Sequence, residues 1–300
     1  MTKLSKDKLL ISEDFYSIQG EGITSGYPSY FIRLANCNLT CGASAKFVNQ
    51  FKKGLVDYDP GDFQGDLHEQ GKATWTCDTI PVWARGTEQE FQYLIDRWKD
   101  QGIYEDICSG LIHIIWTGGE PTIPNHQVSI ANFHKYLLEQ DDNRNNSPFL
   151  KSYFDWDGEK GSKKQYIKVP SFDEIETNGT LYIDDDLFYQ LDQINCSPKL
   201  SNSGMGPKQR IVEKAIKRIM EHPRYQFKFV ISSEDDIFEM FETFIKPFDI
   251  PLQNVVCMPG LDDQKDFHER TKFVMEMAIK YKFIGLTRLH VSAWDRTTGV

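Results

Sequence analysis

The stretch "FIRLANCNLTCGASAKF" sets Cys37 and Cys41 with three residues between them, straight after an apolar run. A single Cys77 follows in "WTCDT". Thiolates are soft ligands that suit zinc or iron–sulfur clusters. A structural zinc site normally shows four Cys/His ligands in paired spacing, and no second Cys pair stands in this chain. Three thiolates on a cubane cluster would leave one iron open to a substrate or cofactor, which favours the cluster. Two packed thiols are the bland alternative, since free cysteine is among the most buried residue types.

Further polar segments punctuate the chain: "TGGEP", "ETNGT", "SPK", "QFKF" around Lys228, and "RLHVSAWD". Each falls at the end of an element with strand character. Tyr30–Ala35 is β-rich, and "LIHIIWT" (111–117) is a short apolar run entering Gly118-Gly119. Strands are expected at 172–176, 193–196, 225–231, 254–258 and 286–292. Helices are expected at 126–139, 207–221, 234–245 and 263–281. Over 87–101, Phe91, Leu94, Ile95 and Trp98 form a helical stripe, with Thr87 as N-cap before Glu90. Strands alternating with helices imply parallel βαβ units, whose functional groups gather at the C-terminal strand ends. The polar segments therefore point to one site.

Two segments break the rhythm. Residues 42–74 and 140–170 are polar, and unstructured loops above roughly 12–15 residues are uncommon inside a compact domain. They read as insertions in a single domain spanning 1–300.

With 40% hydrophobic and 26% charged residues, the chain of 300 has the composition of a globular protein. Its net charge of −10 argues against a broad phosphate-binding surface, so no nucleic-acid partner is expected. The N-terminus lacks the apolar core of a signal peptide, and no run approaches a membrane span. The expectation is a cytoplasmic protein whose six cysteines stay reduced. The two N-x-T sequons, at Asn38 and Asn178, then carry no weight as glycosylation sites.

"CNLTC…CDT" with "TGGEP" resembles the radical S-adenosylmethionine superfamily. The ordered series "FYSIQGEG", "YFIRLANCNLTC", "CDT", "TGGEP", "ETNGT", "SPK" and "QFKFV" is similar, more specifically, to the 7-carboxy-7-deazaguanine synthase (QueE) family, from Phe15 to about Asp295. The resemblance implies an α/β fold, a modified, incomplete (β/α) TIM-like barrel. It implies that Cys37, Cys41 and Cys77 hold a 4Fe–4S cluster whose fourth iron takes S-adenosylmethionine. Thr76, Asp78, Gly118, Gly119, Glu120, Ser197, Pro198, Lys199, Gln226, Phe227, Lys228 and Phe229 match the segments that embrace that cofactor. Ile18, Gln19, Gly20, Arg33, Thr117 and His290 match substrate contacts, and Thr79 matches a threonine that ligates Mg²⁺. Arg33 is chemically apt, because a guanidinium fork binds a carboxylate bidentately and the family's substrate is a carboxylated tetrahydropterin.

The implied activity is a carbon–nitrogen lyase reaction. 6-Carboxy-5,6,7,8-tetrahydropterin loses ammonia to give 7-carboxy-7-deazaguanine, of queuosine-type biosynthesis, through radical chemistry carried by the cofactor. A flavodoxin-like electron donor and a homodimer are implied with it. The third cysteine departs from the usual C-x3-C-x2-C run, because residues 42–74 intervene. A long loop can still return, since each doubling of its length costs only about 0.6 kcal/mol in closure entropy. We expect it to return at Trp75 and set Cys77 beside Cys41.

The bland readings stand beside these. Cys108, Cys196 and Cys257 are expected in the core, and His113 is expected to be structural. The basic "PKQRIVEKAIKR" and the acidic runs at 184–186 and 262–263 read as solvated faces or helix starts. Two other functions share part of the pattern: a glycyl-radical-enzyme activating protein, and a non-catalytic iron–sulfur or zinc-binding module.

Overall fold

Along β2 (Pro28–Leu34), Tyr30, Ile32 and Leu34 are buried in the main core, while Ser29, Phe31 and Arg33 face the other way. That period of two is what a strand between unlike surroundings requires. It recurs in β4 (His113–Gly118), β7 (Asp173–Thr177), β8 (Gln193–Cys196) and β9 (Tyr225–Ile231). Their outer residues, among them Ile114, Trp116, Ile175, Ile194, Phe227 and Phe229, pack on helices. Their inner ones, Glu174, Glu176, Asn195, Gln226 and Lys228, join a polar network.

β1 (Lys8–Ile18), β3 (Thr87–Glu90), β10 (Val255–Pro259) and β11 (Ile284–Gly285) complete a nine-stranded sheet of order β11-β10-β9-β8-β7-β4-β2-β1-β3. β1 runs antiparallel to β2 and β3, and the remaining pairs are parallel. β3 and β11 end the order without pairing to each other, so the barrel is incomplete, as expected. This computed structural model describes residues 7–57, 73, 75, 77, 79–140, 151–156, 163–260 and 266–295, with backbone alone for 151–156 and 163–167.

Both insertions contain secondary structure. The first carries α1 (Ala45–Lys52), whose N-cap Ser44 accepts from Phe47 N at 3.0 Å. With α2 (Ile80–Trp83), it builds a small apolar core of Ala43, Val48, Phe51, Ile80 and Trp83. The second carries an antiparallel hairpin, β5 (Lys151–Trp156) with β6 (Lys163–Lys168), separate from the main sheet. Lys168 ends that hairpin buried, 2.7 Å from both Asp173 and Asp192.

Several sequence expectations are corrected. β1 lacks a plain strand signature in the sequence, because its long run mixes Glu and Asp with apolar residues. Thr87–Glu90 is not the start of a helix: it pairs with Lys8–Ile11 of β1, and α3 (Phe91–Asp100) begins after it without a side-chain cap. The expected helix 207–221 breaks at Ile211-Val212, which are extended, into Pro207–Arg210 and Glu213–Met220. The strand expected over 286–292 lies earlier, at Ile284–Gly285 beside β10, and the chain is helical from Leu289 to Trp294. Leu289 N donates to Gly20 O at 2.9 Å, drawing the chain off the sheet edge. α4 (Tyr104–Ser109) and α5 (Pro124–Leu138) lie on the outer face; α5 begins two residues earlier than expected, with Pro124 in its first turn. No helix among the described residues is long and apolar enough to cross a membrane.

Candidate active site

The cysteine loop leaves β2 through Asn36, which adopts the left-handed conformation. Cys37 and Cys77 flank the small core of the first insertion. Cys77 N donates to Cys41 O at 3.0 Å, so the chain does return beside the first pair. The three thiols lie within electrostatic reach of one another. Burial pushes the thiols of Cys37 and Cys41 up, that of Cys41 to about 12, so unligated they stay protonated. Cys108, Cys196 and Cys257 are buried core residues, as expected.

Two loops grip this one. Gly119 N donates to Leu34 O and Glu120 N to Asn36 O, both at 2.9 Å. Gly118 has φ +112°, and a Cβ there would meet Leu34 N at 2.3 Å. These glycines permit close approach to the cysteine loop's own backbone. From the "TNGT" segment, Asn178 Nδ2 donates to Asn38 Oδ1 at 2.9 Å, and Asn38 Nδ2 donates to Thr180 Oγ1 at 2.7 Å. The two sequon asparagines thus bind each other.

Glu120 is fully buried. Its carboxylate accepts from Thr122 N at 2.9 Å, Thr177 Oγ1 at 2.8 Å and Asn178 N at 2.8 Å, and from the Thr122 hydroxyl. Burial raises its pKa while these donors lower it. The side chain knots two loops together.

Below the cysteines the sheet's inner face is polar. Lys228, almost wholly buried, stands 2.5 Å from Glu176 and 3.1 Å from Glu21. Arg288 reaches Glu21 at 3.0 Å. Burial alone would raise Glu21, but Lys228, Arg288 and His290 hold it well below the usual carboxylate range. Glu176 has one cation between two carboxylates: burial, with Glu21 and Glu174 nearby, lifts it to about 7 against the pull of Lys228. Gln19 Nε2 donates to Glu176 Oε1 at 3.3 Å, and Asn195 Nδ2 donates to the same oxygen at 3.0 Å.

Gln19, Gly20 and His290 come together, since a Cβ on Gly20 would meet His290 Nδ1 at 2.1 Å. Ile18 ends β1 half-buried, just before Gln19. Arg33 and Thr117 are register partners of β2 and β4. Arg33 pairs with Glu13 at 2.5 Å and lies over the Phe15 ring. Thr79 Oγ1 stands 3.1 Å from Cys77 Sγ. Ser197 N donates to Thr177 O at 2.7 Å, Pro198 is buried, and Lys199 Nζ lies 6.0 Å from the Trp75 ring centroid.

Other expected residues fall elsewhere. Phe227 and Phe229 turn to the outer core, with Phe229 5.5 Å from the Phe244 ring, so their side chains cannot meet a cofactor in the lumen. Gln226 faces inward but spends its amide on Ile23 N and Asn195. Thr76 and Asp78 lie outside the described residues. His113 is structural, 2.6 Å from Glu174. Sequence reasoning missed Glu21, Glu176, Asn38 and Asn178, although all four stand inside the quoted segments.

Among the described residues, no three His, Cys, Asp or Glu side chains converge on a single ion. A cubane places each thiolate on its own iron, and three neighbouring thiols with no fourth fit that donor set.

No family model matches the chain. The 7-carboxy-7-deazaguanine synthase of Pyrobaculum aerophilum is 24% identical over 294 residues, covering 97% of each chain. That of Rickettsia prowazekii is 25% identical over 291 residues, covering 93% of this chain and 89% of its own. The crystal structure of QueE from Escherichia coli superposes with a TM-score of 0.53 at 18% identity, covering 94% of this chain and 95% of that one. The last likeness is one of fold.

Proposed function

The chain is a relative of the 7-carboxy-7-deazaguanine synthases along nearly its whole length, and we propose that it carries out their reaction. In this reading it is a single-domain radical S-adenosylmethionine lyase. It converts 6-carboxy-5,6,7,8-tetrahydropterin to 7-carboxy-7-deazaguanine with loss of ammonia. The observation that carries the reading is the return of Cys77 to Cys41, at the strand end where the glycine and "TNGT" loops meet.

Cys37, Cys41 and Cys77 would hold the 4Fe–4S cluster. Bound there, the cluster would supply the electron for reductive cleavage of S-adenosylmethionine. Gly118, Gly119, Ser197, Pro198 and Lys199 would face the cofactor. Thr79 would offer its hydroxyl to Mg²⁺, a hard ion that prefers oxygen. Arg33 would bind the substrate carboxylate by exchanging its surface partner Glu13 for it. Gln19 and Glu176 supply an amide and a carboxyl suited to the polar edge of a pterin. Burial lifts Glu176 to about 7, and Lys228 keeps Glu21 ionised beside it.

The Gly20 to Leu289 hydrogen bond and the Glu21–Arg288 pair tie the helix Leu289–Trp294 to the Gln19–Glu21 turn. The polar set of Gln19, Arg33 and Thr79 suits a small molecule rather than the protein substrate of an activating enzyme. A homodimer, a flavodoxin-like donor and a cytoplasmic location follow from the family and belong to the same proposal.

The test is anaerobic reconstitution followed by incubation with dithionite, S-adenosylmethionine, Mg²⁺ and 6-carboxytetrahydropterin, with products read by mass. The expected products are 7-carboxy-7-deazaguanine and ammonia. Deoxyadenosine without any deazaguanine would refute the substrate while leaving the radical chemistry in place.

A further inference from the structure

Both ends of the first insertion are tied to one short turn, Leu200–Gly204, which follows the "SPK" segment. At its start, Gly42 N donates to Ser203 O at 2.8 Å. At its return, Trp75 Nε1 donates to Asn202 Oδ1 at 3.1 Å. Gly204, at φ +75°, leaves the space into which Ala73 fits: a Cβ there would stand 2.9 Å from Ala73 Cβ.

The turn is itself braced from behind. Asn202 Nδ2 donates to Asp236 Oδ1 at 2.9 Å, and Asp236 belongs to the capping box of the helix Glu234–Met240. Ser201 N donates to Glu239 at 2.8 Å, and Arg210 pairs with the same carboxylate at 2.7 Å. Two residues beyond Trp75, Cys77 meets Cys41.

We propose that this turn is a latch, with Trp75 and Asn202 as positioning residues, that sets the third cysteine against the first two. Loop closure costs little more as a loop lengthens. It leaves the direction of return undefined, however, and a braced turn holding both ends supplies that direction. The latch rests on the reading of Cys77 as a cluster ligand, so its test separates the two.

Site-resolved alkylation of the apo chain by iodoacetamide would be followed by mass spectrometry in Trp75→Phe, which keeps a ring but loses the donor, and in Asn202→Ala. Loss of one such hydrogen bond should speed Cys77 alkylation roughly five- to tenfold, while the core thiols Cys108 and Cys257 keep their wild-type rates. After reconstitution, both variants should hold less iron per chain and give an altered electron paramagnetic resonance spectrum of the reduced cluster. Unchanged Cys77 alkylation in both variants would overturn the latch. Equal acceleration at Cys108 and Cys257 would overturn it too, by tracing the effect to general unfolding. A full 4Fe–4S spectrum in Cys77→Ala would instead overturn the ligand reading, and with it the latch's purpose, while the alkylation result still decides whether the latch exists.

Discussion

A Cβ on Gly119 would stand 1.8 Å from the carbonyl oxygen of Asn36. The glycine loop therefore rests backbone to backbone on the cysteine loop, and the obstacle to a larger residue is a rigid main-chain atom. Gly119→Ala should push the two loops apart at an overpacking cost of about 1–3 kcal/mol. Thermal unfolding of the apo chain should show a clear drop in Tm, with less iron taken up on reconstitution. A wild-type melting curve would refute the packing argument.

Glu120 makes a separate test of how those loops are held. Glu120→Ala leaves the buried donors of Thr122, Thr177 and Asn178 without an acceptor. The expected loss is roughly 3 kcal/mol of stability. Glu120→Gln keeps one acceptor oxygen and should lose less. Denaturant unfolding of both variants checks this order, and equal losses would count against the knot.

The Glu21–Lys228–Glu176 group predicts a pH dependence. Glu176 rises from 4.5 to about 7 on folding, so the folded chain binds that proton more tightly across this interval. Its contribution to stability is present below about pH 4.5 and is lost as pH rises through about 7. Glu21 is shifted the other way: its contribution is present above its ordinary range and is lost only in acid. The groups facing Glu176 are Lys228, Glu21 and Glu174. Glu176→Gln should remove the decline in Tm between pH 5 and 8 that the wild type shows. An identical profile in both proteins would sink the assignment.

Much of the parallel sheet was legible because its strands are short and alternate apolar with polar residues, as Phe227 and Phe229 do with Gln226 and Lys228. The bounds of β8 and β9 match their expected ranges, since the runs end abruptly at "SPK" and after Ile231. Elements at the sheet's margins were not legible. Thr87–Glu90 has the pattern of a helix start, yet β1 offers it a partner distant in sequence. The segment Leu289–Trp294 alternates like a strand, yet Gly20 O takes its first amide. In both places a long-range hydrogen bond outweighed a local preference.

Within the candidate site, the residue types and their order along the chain were determined by the sequence alone: three cysteines, paired glycines, and acids at strand ends. Which side chains meet was decided by tertiary structure. Strand alternation sends Lys228 into the lumen and its neighbours Phe227 and Phe229 into the core. Glu120, read as part of the loop that meets the cofactor, ties its carboxylate to Thr177 and Asn178. Cys77 could have lain anywhere that its intervening segment allowed. Spacing along a chain leaves the direction of a loop's return open, and contacts with a distant turn fix it.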